Sequence, residues 1–149
     1  MVTREEKEQE LLQKAKIVVI IGQPNDVRDV AYLLERRFFS AGILSTVIDS
    51  DNLSKGLCQD CISDNTEFLR RTIEAAKLFL NTGFITICYG TSPLMNTVNN
   101  LVNNSDLIVV TTNETADTIE GSFVIELGKK SLEDVVHGLY KKLATVISA

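Results

Sequence analysis

Apolar residues along this chain follow two rhythms. Short unbroken runs rich in β-branched residues mark strands covered on both faces; K-I-V-V-I-I, from Lys16 to Ile21, is the strongest. Stretches with apolar residues at i, i+3, i+4 and i+7 mark amphipathic helices. The runs predict strands over 16–22, 43–49, 84–89, 106–111 and 122–127. The periodic stretches predict helices over 3–15, 26–41, 64–82 and 94–103, with a last helix after Ser131. Val27, Val30, Ala31, Leu34 and Phe38 form one stripe, and Leu69, Ile73, Ala76 and Leu80 another. Thr3, Ser63 or Asp64, and Ser131 are placed to cap helix starts, and Gly42 and Gly83 to end helices. Helix 3–15 has a long charged face, so it is expected outside the core, as a cap or as a dimer contact. Strand–helix alternation with short loops predicts an α/β fold, a parallel sheet between two helical layers.

With 149 residues the chain is expected to form a single domain, a helix over 1–15 followed by an α/β core over 16–149. A net charge of −5, with no basic cluster interleaved with aromatics, argues against a nucleic-acid partner. No apolar run approaches the length of a membrane span, so no membrane partner is expected. The acidic start T-R-E-E-K-E-Q-E lacks the marks of a secretory signal, and three cysteines fit a reducing cytoplasm better than a disulfide scaffold.

Candidate chemistry gathers where strands end. Gly22 closes the first strand just before a helix start, where phosphate-binding folds place an anion. A phosphate loop of the form G-x-x-x-x-G-K-[ST] is not met. Counted from Gly22, its second glycine falls on Val27, its lysine on Arg28 and its hydroxyl residue on Asp29, while Pro24 removes an N–H donor. Gly22, Asn25 and Arg28 are what remains of such a site. Asp49-Ser50-Asp51-Asn52 follows the second strand at the sheet's ligand-binding edge, although Asp51 or Asn52 can equally be helix caps. Cys58 and Cys61 form a C-x-x-C pair that reads as a redox couple or as two ordinary thiols. Zinc would need Cys88 and His137 as well, which lie on a core strand and the last helix, so no metal is expected. Arg70 and Arg71 can reach an anion or stand solvated, and His137 borders an apolar stripe.

These motifs, in order, resemble the adenylylsulfate (APS) kinase family from about Lys16 to Ser148. The resemblance rests on Gly22 and on V-I-D-S-D-N-L from Val47 against the family's L-D-G-D-N-V. Gly56-Leu57 stands against H-G-L, L-R-R from Leu69 against I-R-R, and Ser92-Pro93 against I-S-P. A-A-K-L-F from Ala75, Gly83 and the ending S-L-E-D-V-V from Ser131 complete the match. It implies a P-loop kinase fold with five parallel strands in the order 2-3-1-4-5. It also implies a nucleotide site at Gly22, Asn25 and Arg28, a substrate site at Asp51, Asn52, Arg71, Ser92 and Pro93, and Asp49 near the reacting hydroxyl.

The departures from the family bear on activity. The phosphate loop is lost, the Arg after D-G-D-N-V is Ser54, and the substrate-holding Arg and Asn fall on Asn65 and Phe68. The long basic lid between the last two strands is reduced to the connection 112–121. The expectation is therefore a catalytically degenerate relative that binds, regulates or assembles, linked to sulfate activation. A homodimer or a sulfate-activation enzyme would be its partner. The alternative is a weak APS kinase, or a kinase of another small substrate, and only that alternative calls for ATP and magnesium. A flavodoxin-like or receiver-like domain is the third reading; it lacks the acids a receiver needs where Gly22 stands.

Overall fold

A computed structural model of the chain describes residues 1–114 and 119–148. The order of elements is α1 (Arg4–Leu11), β1 (Lys16–Ile21), α2 (Pro24–Ser40), β2 (Ser45–Ile48), α3 (Ser50–Ser54), α4 (Asn65–Leu80), β3 (Ile85–Gly90), α5 (Leu94–Leu101), β4 (Leu107–Thr112), β5 (Phe123–Ile125) and α6 (Leu132–Ile147). The sheet runs β2-β3-β1-β4-β5 with every neighbouring pair parallel. This is the order the family resemblance implies. It differs from the flavodoxin-like order 2-1-3-4-5 and so sets that reading aside.

Ile17 to Ile21 of β1 are fully buried because both faces of the strand are covered. Val18 and Ile20 point into one core, against the α2 stripe Val27, Val30, Ala31, Leu34 and Phe38 and against Val136, Leu139 and Leu143 of α6. Ile17, Val19 and Ile21 point into the other, against Ile73 and Ala76 of α4 and Leu94 and Val98 of α5. Helices therefore lie on both faces of the sheet, as the alternation of elements requires.

The predicted elements shift at their ends for local reasons. α1 has a capping box between Thr3 and Glu6, but it stops at Leu11, where Leu12 turns left-handed at φ 57°. It is also less solvated than its charges imply. Glu8 is buried and accepts the Ala15 N–H at 2.6 Å, and Arg4 reaches Asp106 at 2.7 Å. The next residue, Gln13, is 1% exposed. Its amide donates to Leu44 O and Gly83 O and accepts from Leu44 N–H, each at 2.9 Å, which ties the N-terminal segment to the starts of β2 and β3.

α2 begins at Pro24 rather than Asp26, since proline suits a first helical turn whose N–H groups have no intrahelical partner. Gly42 adopts φ +79° just past it, and the Ile43 N–H turns back to Phe38 O, which shortens the second strand to Ser45–Ile48. α4 is capped by Asp64, and α6 by Ser131, whose hydroxyl accepts from Asp134 N–H. α5 ends at Leu101 because Val102 is extended. Residues 115–118 of the connection read as the reduced lid lie outside the described residues.

Candidate functional site at the carboxyl edge of the sheet

The register aligns the strand ends on one edge. Ile48 pairs with Cys88, so Asp49 comes level with Tyr89; Ile21 pairs with both Gly90 and Thr111. Gly22 therefore lies beside β4's end, where the strand order reverses and open α/β sheets form their crevice.

Gly22 is needed here for space. A Cβ on it would stand 2.9 Å from both Thr112 Cγ2 and Val27 Cγ1. Its N–H donates to Gly90 O at 3.1 Å and so continues the β1–β3 ladder. Only Gly22 and Gln23 separate β1 from α2, so Pro24 to Asp29, the positions counted as a phosphate loop, are helical. Val27 is buried core, and Asn25 is exposed in the first turn of α2.

Asp49 is the centre of the edge. It is 6% exposed and is itself the N-cap of α3: Oδ1 accepts the N–H groups of Asp51 at 2.8 Å and Asn52 at 3.4 Å. This corrects the reading of Asp51 or Asn52 as the cap; both are exposed and sit inside the short helix that Asp49 starts. Asp49 Oδ2 accepts the Tyr32 hydroxyl at 2.5 Å and lies 3.7 Å from the Arg28 guanidinium. Arg28 and Tyr32 are one helical turn apart on α2, with the guanidinium 5.3 Å from the centre of the Tyr32 ring.

Burial works to raise the Asp49 carboxyl, but the Tyr32 phenol, the two α3 N–H groups and Arg28 outweigh it and hold it below its ordinary value. Burial pushes the Tyr32 phenol up, and the adjacent Asp49 carboxylate pushes it further. Burial likewise raises Tyr89, which faces Ser50, Asp49 and Arg28. Asp49 is thus an ionised carboxylate whose two oxygens already have donors.

The remaining candidates lie on either side of this node. Arg71 of α4 donates to Asp60 at 2.6 Å, to Glu67 at 3.3 Å and to Leu57 O at 3.0 Å, clamping the segment between α3 and α4. Glu67 also takes Arg70, and the two arginines lower its carboxyl to about 2. Ser92 and Pro93 lead into α5, with Pro93 at its N-cap. Behind Asp49, a pocket of ≈ 260 Å³ opens between the α4 start, the ends of β2 and β3, and the α5 start. It brings Pro93 together with Ser50, Phe68 and Tyr89.

Cys58 and Cys61 are buried, and the Cys61 thiol points at Cys58 O, 3.6 Å away. Burial, together with the neighbouring thiol, raises Cys58, and burial raises Cys88 to about 12, so these read as packed thiols. Among the described residues no group of three or more His, Cys, Asp or Glu is placed to hold a metal ion. His137 is exposed on α6 and accepts from Arg37 Nε at 3.2 Å. Among the described residues no helix is long and apolar enough to cross a membrane.

Tyr32 and Tyr89 are the site residues that the sequence did not single out. The signal for Tyr32 was its spacing of four from Arg28; the signal for Tyr89 was its place at a strand's carboxyl end.

The sheet order and the flanking helices define a P-loop kinase type of α/β fold. The family model for adenylylsulphate kinase matches residues 14–144, and the chain belongs to that family. An adenylyl-sulfate kinase of Clostridium acetobutylicum is 36% identical over 66% of this chain and 52% of its own length, so the chain spans about half of that relative. One from Thermodesulfovibrio yellowstonii is 30% identical over 95% of this chain and 68% of its own length. Among solved structures, a Mycobacterium tuberculosis APS kinase in complex with AMPPNP and APS superposes with a TM-score of 0.69 at 19% identity, covering 87% of this chain and 98% of that one. A hexameric APS kinase from Thiobacillus denitrificans gives 0.66 at 13% identity, covering 90% of this chain and 29% of that one. At such identities the superpositions carry the fold.

Proposed function

We propose that this chain is a non-catalytic member of the adenylylsulphate kinase family, a binding, regulatory or assembly module connected with sulfate activation. The observation that carries this reading is the junction between β1 and α2. A phosphate cradle needs a loop of free backbone N–H groups, and here the helix starts two residues after the strand, on a proline. The Gly22 N–H belongs to the sheet, and Val27 fills the space above it. Phosphoryl transfer works by positioning and by neutralising developing charge. The cations that remain are already matched, Arg28 by Asp49 and Arg71 by Asp60 and Glu67. Such a module acts through a partner, either a second copy of itself or an active enzyme of sulfate activation.

The test is turnover. ATP, magnesium and APS are incubated with the chain, and ADP and phosphorylated APS are measured against an enzyme-free blank. The expected result is no turnover above the blank. Turnover that Arg28→Ala abolishes would overturn the reading.

One observation favours the alternative of an active kinase. Asp49 is ionised and stands at the ligand-binding edge, next to a pocket of ≈ 260 Å³. In that reading it would orient an acceptor hydroxyl with ATP and magnesium bound, and Asp49→Asn would remove the activity.

A further inference from the structure

We infer that the outer edge of β5 is a docking site for an extended, acidic segment of a partner protein, which adds to the sheet as a further strand beside α6. This rests on the binding-module reading proposed above and gives that module a class of partner. Among the described residues β5 ends the sheet and pairs with β4 alone. Ile125 O accepts the Asn113 N–H at 3.0 Å, so Ile125 turns its backbone groups toward β4. Successive residues of a strand turn those groups to opposite sides, so Val124 directs its N–H and C=O away from β4. Val124 is also 54% exposed. An open edge of this kind is a template for strand addition.

The edge borders a groove of ≈ 400 Å³ between β5 and α6. Along α6, Asp134, Gly138 and Lys142 line it at helical spacing. Gly138 is the gap in this wall. A Cβ there would meet nothing within 4 Å, so packing gives no reason for a glycine, which in a helix interior is destabilising relative to alanine. The buried side of the groove is apolar, with Phe123 and Ile125 from β5 and Val135 and Leu139 from α6. An extended peptide sets every second side chain against such a surface.

Charge defines the other side chains of the peptide. The chain carries a net charge of −5, yet Lys129, Lys130 and Lys142 line this groove against Glu126 and Asp134. Lys129 is matched by Glu126 at 3.1 Å, whereas Lys130 and Lys142 have no ion-pair partner among the described residues. From Lys130, just before α6, to Lys142 inside it is about 18 Å at about 1.5 Å per residue, a span of about five or six residues of extended chain. Carboxylates along that span meet both lysines. A second copy does not fit, because two β5 edges paired about a two-fold axis would set one basic rim against the other.

The experiment is fluorescence anisotropy of the full chain with a labelled peptide of alternating glutamate and valine, about seven residues long. The acidic peptide is expected to bind at least about tenfold more tightly than its lysine–valine counterpart, and to weaken as salt is added. Methylating its backbone nitrogens keeps the charge, removes the strand hydrogen bonds and is expected to weaken it at least about tenfold. Gly138→Leu fills the groove from a position with open space around it. It is expected to abolish binding while the urea midpoint stays level or rises. Lys130→Glu combined with Lys142→Glu is expected to abolish binding as well. Equal binding of the two peptides, no binding at millimolar peptide, or binding unchanged by backbone methylation or by Gly138→Leu would overturn the inference. Self-association of the chain that Gly138→Leu abolishes would also overturn it, by giving the edge to a second copy. Failure here without turnover leaves the non-catalytic reading standing. Turnover in the kinase assay removes that reading whatever the peptides show.

Discussion

Asp49→Ala removes an acceptor shared by four donors, and the cost can be worked from its contacts. Loss of the α3 N-cap, where two N–H groups meet Oδ1, costs about 1 kcal/mol. Loss of the phenol–carboxylate hydrogen bond from Tyr32 costs about 1.5–3 kcal/mol, toward the lower end because a half-buried phenol can turn to water. The contact with half-exposed Arg28 is left out of the sum. The total is about 3 kcal/mol, or a fall in Tm of about 6–10 °C for a chain of this length. Asp49→Asn keeps an oxygen for the cap and loses the charge, so it costs about half as much.

The charge also sets a pH signature. The folded carboxyl lies below its ordinary value, so its stabilisation is complete above that value, 3.8, and is lost as the pH falls through the still lower folded value. Urea unfolding of the unaltered chain and Asp49→Asn should therefore show a stability difference that is constant near neutrality and shrinks below about pH 4. Other carboxylates titrate in both proteins and drop out of the difference. A difference that does not change between pH 7 and pH 3, or an Asp49→Ala cost under about 1 kcal/mol, would refute the assignment of Asp49 as a stabilising node.

Gly22→Ala should destabilise by about 1–3 kcal/mol, since its new methyl meets Thr112 and Val27 at 2.9 Å; combining it with Val27→Ala should show favourable coupling in a double-mutant cycle, and simple additivity would count against the packing argument. Gln13→Ala should cost about 2–3 kcal/mol, because Leu44 N–H, Leu44 O and Gly83 O lose a buried partner; an unchanged urea midpoint would show that water takes its place.

The layers and the stripes were legible because they depend on local periodicity. The runs at Ile17–Ile21 and Ile85–Cys88 read as central strands, and Val27, Val30, Ala31, Leu34 and Phe38 as one stripe facing the sheet, which is where they lie. The strand order came through the family resemblance, since periodicity does not order strands. Gln13 was invisible for another reason. A glutamine after a charged helix reads as surface, and its partners Leu44 and Gly83 stand 31 and 70 residues away. Asp49 could be located but not interpreted. D-S-D-N suits a base, a metal ligand or a cap, and the choice depends on Tyr32 and Arg28 arriving from a helix that precedes it in the chain. α3 was read only as a cap at Asp51 or Asn52, two or three residues late, because a five-residue helix has no period to read.

That dependence on neighbours bears on the non-catalytic reading proposed above. An active phosphotransferase keeps positive charge unmatched until the substrate arrives, and the fold carries that strain. Here the charges close on one another within the chain. Arg28 stands 3.7 Å from the Asp49 carboxylate and 5.3 Å from the centre of the Tyr32 ring, and Arg71 holds Asp60, Glu67 and Leu57 O. Each pair gives the edge an internal arrangement of charge, and an anion must break that arrangement before it can bind. The same residues cannot both fasten α3 to α2 and wait for a phosphate. In this chain the fastening is made of short contacts, the 2.5 Å phenol–carboxylate bond and the 2.8 Å cap, with a pocket lined by uncharged side chains beside them.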